Sequence, residues 1–278
     1  MKKYLALILA LVMVFALAAC GKTAAPAATA EPEAPVAETA APSAEPEAPA
    51  AESATPAEEA PAAEEPAAQP MTYAEYAAAE LDTPVAAEAW VQAKLTWWDN
   101  KTSVYAADPD GAYFLHDVAC SEEDYEKLVP GQKISFQGYK GEWSGEVEVV
   151  DGSFSFVDGD SYIAEPVDIT NLLGTDEIEA HMNQAISVKD AIVADKGGGA
   201  AFYYNWDNSG EDGNCDLYFD LEINGGVYTF VARRYLTVPG SEVYEAVKNL
   251  KVGDTVDVQG FLYWYEGPQP HITAITVK

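Results

Sequence analysis

Along residues 71–278 apolar and polar positions alternate in short runs, the period-two pattern of strands that bury one face. Leu217, Phe219, Leu221 and Ile223 alternate, then Asn224-Gly225-Gly226 intervenes before a second apolar run, Val227–Ala232. That succession predicts a hairpin, because Asn and Gly accept the left-handed backbone of a tight turn. A matching pair, Ser103–Ala107 and Ala112–Asp117, flanks Asp108-Pro109-Asp110-Gly111. Two stretches break the alternation, Ser121-Glu122-Glu123-Asp124-Tyr125 and Ser241-Glu242-Val243-Tyr244-Glu245. Serine at an N-cap with acids in the first turn predicts a short helix at each. Strand candidates Glu88–Thr96 and Gln184–Ala194 precede the hairpins, and Thr72-Tyr73-Ala74-Glu75 has capping-box form. Last come Glu146–Val149 with Ser153–Val157, and His271–Val277.

The alternation is also duplicated. Leu128-Val129-Pro130-Gly131-Gln132-Lys133-Ile134-Ser135-Phe136-Gln137-Gly138-Tyr139 aligns with Leu250-Lys251-Val252-Gly253-Asp254-Thr255-Val256-Asp257-Val258-Gln259-Gly260-Phe261 at an offset of 122. Each copy therefore reads strand, hairpin, helix, strand, strand. A helix between the third and fourth of five strands is the plan of the OB-fold, a small Greek-key barrel. The expected class is all-β with short helices, as two tandem five-stranded OB-like barrels at 71–172 and 173–278. An immunoglobulin-like sandwich competes, but it needs about seven strands per unit and has no place for the Ser-Glu helices. The run from Val252 to Gly260 resembles the tandem OB-like domains of bacterial surface lipoproteins.

The N-terminus carries the same resemblance independently. Met1-Lys2-Lys3 precedes an apolar run from Tyr4 to Leu17, the length of a signal core and short for a membrane span. It ends in Leu17-Ala18-Ala19-Cys20-Gly21, which resembles the lipoprotein signal whose cysteine is lipidated and becomes the first mature residue. Residues 1–20 are thus expected as a signal peptide, with lipid on Cys20 holding the protein at the extracytoplasmic face of a cell membrane. Residues 21–70 hold 20 Ala, 10 Pro and 10 Glu. Proline blocks helix continuation and like charges repel, so a disordered, extended tether is expected, reaching roughly 155 Å at about 3.1 Å per residue.

Charge narrows the partners. Of 46 acidic residues, 10 lie in the tether, which leaves 36 against 12 bases over 71–278, a net −24. Generic phosphate-backbone binding needs several Lys or Arg to displace counterions, so no nucleic-acid partner is expected. Export permits a Cys120–Cys215 disulfide, though neither sequence context signals a pairing.

OB-folds bind through the strand 2–3 face and the loops joining strands 1–2 and 4–5. The 1–2 loops carry Trp97-Trp98-Asp99-Asn100 and Tyr203-Tyr204-Asn205-Trp206-Asp207-Asn208; the 4–5 loops carry Glu142-Trp143 and Tyr263-Trp264-Tyr265-Glu266. Aromatic planes beside Asp and Asn suit hydroxyl-bearing or peptide ligands. The candidate site is accordingly Trp98, Asp99, Asn100, Trp143, Trp206, Asp207, Asn208, Trp264 and Tyr265. The competing reading makes the aromatics core closure and the Asp-Asn pairs plain turns. The second copy also has about 18 residues inserted before its hairpin, where Asp207, Ser209 and Glu211 alternate as weak calcium ligands without the glycine and glutamate of an EF-hand. Gly197-Gly198-Gly199 lacks the Lys-Ser/Thr of a phosphate loop. His116, His181 and His271 stand in no metal or triad spacing, so neither catalytic residues nor a cofactor are expected. The Arg233-Arg234 doublet reads as a surface or salt-bridge pair. The expected function is a membrane-anchored, non-catalytic adaptor for carbohydrate or peptide. The alternatives are an accessory subunit for another envelope protein and, behind it, a secreted hydrolase.

Overall fold

Thr72, Ser121 and Ser241 all cap helices in the computed structural model of the chain, which describes residues 69–278. The signal peptide, Cys20 and nearly all of the tether expected from sequence lie outside the described residues. Thr72 Oγ1 accepts the Glu75 N–H at 3.3 Å while the Glu75 carboxylate accepts the Thr72 N–H at 2.8 Å, closing the capping box of α1 (Tyr73–Ala78). Ser121 Oγ accepts the Asp124 N–H at 3.1 Å to start α2 (Glu122–Lys127), and Ser241 Oγ accepts the Tyr244 N–H at 3.3 Å to start α3 (Glu242–Lys248). Helices this short are unstable alone. Docking on the barrels holds them: Tyr76 packs edge-on against Tyr113, and buried Tyr244 donates its hydroxyl to Cys215 O at 2.8 Å.

The strands of the first copy are β1 (Pro84–Lys94), β2 (Lys101–Asp108), β3 (Gly111–Ala119), β4 (Lys133–Trp143) and β5 (Glu146–Phe156). They close in the order β1-β2-β3-β5-β4, with β4 returning to pair β1. After a short β6 (Val167–Asp168) and a 3₁₀ turn (Asp176–His181), the second copy follows as β7 (Ala185–Val193), β8 (Phe202–Tyr204), β9 (Leu217–Ile223), β10 (Gly226–Ala232), β11 (Thr255–Phe261) and β12 (His271–Val277). β7, β11, β12, β10 and β9 repeat the same circuit, closed by a β7–β9 pairing. The all-β class, the two five-stranded OB-like barrels and the helix between third and fourth strands stand as expected. The 18-residue insertion supplies β8, an extra strand on β9 outside that circuit.

Two boundaries differ from the sequence pattern. β1 begins four residues earlier than expected, at Pro84, a position where the missing N–H does no harm. Ala86, Ala87 and Ala89 then pair with β4 as a strand despite alanine's weak strand preference, because barrel burial decides. β5 runs through Asp151-Gly152, which the sequence treated as a break. There the ladder shifts: Gln137 pairs Ser153 while Tyr139 pairs Val150, so those two residues oppose Gly138 in a bulge.

Each barrel has its own core, and a third apolar group joins them. Tyr105 of β2 stacks on Phe261 of β11 at 4.3 Å with the rings 8° from parallel, and its hydroxyl meets His271 Nδ1 at 2.8 Å. The Thr96 N–H donates to Tyr235 O at 2.6 Å, the Glu266 N–H to Ser144 O at 2.8 Å, and Asn183 Nδ2 to Val147 O at 3.0 Å. Residues 158–164 are strapped along β1: Trp90 Nε1 donates to Asp160 O at 2.7 Å, and the bulged Gln92 accepts the Ala164 N–H at 2.9 Å.

Candidate functional site

The seam opens into a cleft. Two adjoining cavities of about 840 and 350 Å³ share His116, Arg233, Tyr263 and His271. The cleft is lined by the β1–β2 loop, β3, the β4–β5 turn and the start of β5 in the first barrel, and by the β8–β9 loop, the start of β9, the residues after β10 and the β11–β12 loop in the second. Its floor is aromatic: Tyr263 stacks on His271 at 4.2 Å, with Phe114 edge-on to Tyr263 at 5.7 Å. Burial, then the Arg233 charge, holds His271 well below its usual value, so it is a neutral hydrogen-bonding group with Tyr105. Arg233 Nη1 is tied to Asp216 at 2.7 Å, and Arg234 lies over the Tyr235 ring and donates to Asn214 Oδ1 at 2.7 Å. The basic doublet is thus paired, as its sequence setting suggested. The Glu148 side chain is only 8% exposed; burial raises its carboxyl, and the His116 ring at 3.8 Å partly offsets this.

The tryptophans divide into two groups. Trp90 and Trp97 spend their indole N–H groups on Asp160 O and Cys120 O, and Trp264 packs over Gly145 with its main-chain N–H on Glu146. These are structural. Trp98, Trp143 and Trp206 are 55, 60 and 75% exposed and line the cleft, joined by Tyr265. The structure therefore gathers Trp143, Trp206 and Tyr265 around the larger cavity and Trp98 at the adjoining smaller one, from loops of both copies.

The polar half of the candidate set is used differently. Asp99 and Asn100 sit at φ 47° and 58° in a two-residue turn closed by Trp98 and Lys101, whose main chains exchange hydrogen bonds at 2.9 and 3.0 Å. Asn208 Oδ1 accepts the Tyr204 N–H at 3.2 Å and Asp207 Oδ1 the Ser209 N–H at 3.0 Å. All four shape backbone. Asp207, Ser209 and Glu211 lie in this turn segment, and among the described residues no three His, Cys, Asp or Glu side chains converge to hold a metal. Cys120 and Cys215 are free and buried: Cys120 Sγ donates to Ser121 O and Cys215 Sγ to Glu211 O.

Residues the sequence reading did not place in the site are His116, Glu148, Tyr218, Arg233, Tyr235 and Tyr263. One signal was present: Glu146 and Glu148 occupy alternate positions of a strand and so point to the same side. Among the described residues no helix is long and apolar enough to cross a membrane.

No protein-family model matches the chain, and no curated protein does. Solved structures that it resembles include a murine DNA-binding protein bound with double-stranded DNA, at 11% identity and TM-score 0.34, covering 70% of this chain and 98% of that one. The Ifi202 HINa domain in complex with a 20-bp duplex aligns at 13% identity and TM-score 0.31 (71% and 96%), and the p204 HINb domain at 14% and 0.30 (71% and 98%). These names correct two expectations. An adaptor for carbohydrate or peptide has no counterpart among them, and nucleic acid is not set aside as a partner class. Physically, net charge describes a whole surface and not one cleft, and the Asp207 and Asn208 side chains expected to read hydroxyls are committed to main-chain N–H groups of their own turn. At these TM-scores the likeness carries no ligand across to this chain.

Proposed function

We propose that this protein is a non-catalytic receptor for a small organic ligand, bound in the cleft between its two barrels. The observation that carries this is the convergence of exposed Trp143, Trp206 and Tyr265, from loops of both copies, on an opening of about 840 Å³, with exposed Trp98 lining the adjoining cavity of about 350 Å³. Aromatic-lined clefts of this size suit small molecules, and large apolar rings left in water at one place mark a binding surface. The nearby ionisable groups favour binding over turnover. His271 is held neutral and committed to the Tyr105 hydroxyl, and Arg233 is paired with Asp216.

Each copy, 71–172 and 173–278, supplies half of the site in this reading. Leu17-Ala18-Ala19-Cys20 supports export and lipidation at Cys20. Labelling with a palmitate analogue should mark the wild type and spare Cys20→Ala; equal labelling would remove the anchor.

The test of the receptor reading is tryptophan fluorescence of the full chain against a panel of small organic ligands, with Trp143→Ala and Trp206→Ala as variants. Ligand-dependent quenching in the wild type, weakened about tenfold or more in either variant, is the expected result. Duplex DNA is the contrasting probe. If it binds with a steep salt dependence that Trp143→Ala leaves alone, the cleft is not the site and this reading fails.

A further inference from the structure

The cleft carries a charge asymmetry that narrows its ligand. Arg233 is neutralised by Asp216 at 2.7 Å, and His271 faces Tyr105 as a neutral ring. Glu148 is less fully matched: its side chain is only 8% exposed, and its one basic neighbour among the described residues, His116 Nδ1 at 3.8 Å, makes a long ion-pair contact rather than a hydrogen bond. A desolvated carboxylate at the base of an aromatic cleft is incomplete without a cation. The walls suit one, because Trp143, Trp206, Tyr263 and Tyr265 present rings whose faces are electronegative. A small hydrated metal ion fits poorly, since aromatic rings cannot replace its oxygen shell and no three metal-type side chains converge among the described residues. An alkylated ammonium fits on both counts, being weakly hydrated, bulky and positive.

We propose that the inter-barrel cleft binds a substituted ammonium group, with Trp143 and Trp206 as cation–π walls and Glu148 as counter-ion. This rests on the receptor reading and names its ligand class. The cleft is wide enough for the head group to carry further substituents.

The experiment is NMR titration of the tryptophan indole signals in the full chain with choline, tetramethylammonium and 3,3-dimethylbutan-1-ol, the neutral carbon isostere of choline. Trp143 and Trp206 should shift with both cations, while Trp90 and Trp97, tied to main-chain oxygens, should not. The neutral isostere should bind about tenfold more weakly or worse, and Glu148→Gln should lose choline by a similar factor. Glu148→Asp, which keeps the charge, should retain part of the binding and shows whether loss in Glu148→Gln is electrostatic. Equal binding of choline and its isostere would overturn the ammonium proposal while leaving the cleft as an apolar receptor. Shifts absent with both cations but present with other small ligands would do the same. If no ligand of any class moves Trp143 or Trp206 in the folded protein, the receptor reading itself falls.

Discussion

Glu146 sits fully buried at the seam with its two oxygens in unlike settings. Oε2 accepts the Trp264 N–H from the opposite barrel at 2.7 Å, while Oε1 has no partner, and the neighbouring Asn183 amide has its own oxygen unpaired. Burial pushes the carboxyl up to about 8, against the pull of the Trp264 hydrogen bond. A protonated carboxyl removes the uncompensated charge and can donate to an acceptor such as the Asn183 oxygen. The sign follows from linkage. The unfolded chain releases this proton near 4.5, the folded one only near 8, so stability falls between those values by up to about 1.4 kcal/mol per pH unit. Glu148 is also raised and adds in the same direction. His271, held neutral, opposes them below about pH 6.5, so the readout is the difference between wild type and Glu146→Gln. Denaturant midpoints from pH 5 to 9 should show the variant gaining on the wild type as pH rises. A constant difference would mean that Glu146 is not the titrating group.

At the scale of elements, the repeated Gln-Gly pair explains why the two copies look alike. Gly138 of β4 and Gly260 of β11 lie where the ladder to the last strand slips by one residue. The partner backbone comes so close that no side chain fits. A Cβ on Gly260 would lie 2.1 Å from His271 O and 2.7 Å from Ile272 Cα; on Gly138 it would lie 2.7 Å from Val149 Cγ1 and Val150 O. Each glycine thus lets a strand bend hard enough to close a small barrel. Gly260→Ala should cost about 2–3 kcal/mol in chemical denaturation, because a main-chain carbonyl must move. Gly138→Ala should cost less, since part of its clash is with a valine methyl. A loss under about 0.5 kcal/mol for Gly260→Ala would show that the bulge relaxes freely.

For the whole molecule, the seam makes the two barrels one working unit. Separating residues 71–172 from 173–278 would uncover Tyr105, Phe114 and Phe261, all within 6% of complete burial, and leave His271 Nδ1 without the Tyr105 hydroxyl. The separate halves should bind a hydrophobic dye that the intact chain does not, and neither should bind a cleft ligand. Mixing them should restore both properties in part. A half that binds the ligand with full affinity would place the site on one barrel.

The strand alternation, the Ser N-caps and the duplicated Leu-to-Gln-Gly block determined the barrel class and strand order, because each is a local property whose cause lies within a few residues. Trp98, Trp143, Trp206 and Tyr265 were also marked by type and loop position. Whether those rings were core or surface was not encoded locally. Nor were the roles of His116, Glu148 and Arg233, which lie up to 117 positions apart in the chain and become neighbours only when one barrel docks on the other. The Asp-Asn pairs carry a related ambiguity. Their side chains suit both hydroxyl recognition and turns, and the tertiary structure adds that Asp207 and Asn208 accept the Ser209 and Tyr204 N–H groups while Asp99 and Asn100 take left-handed turn backbone. A binding cleft between domains is a property of how two surfaces meet. Sequence periodicity within each surface cannot contain it.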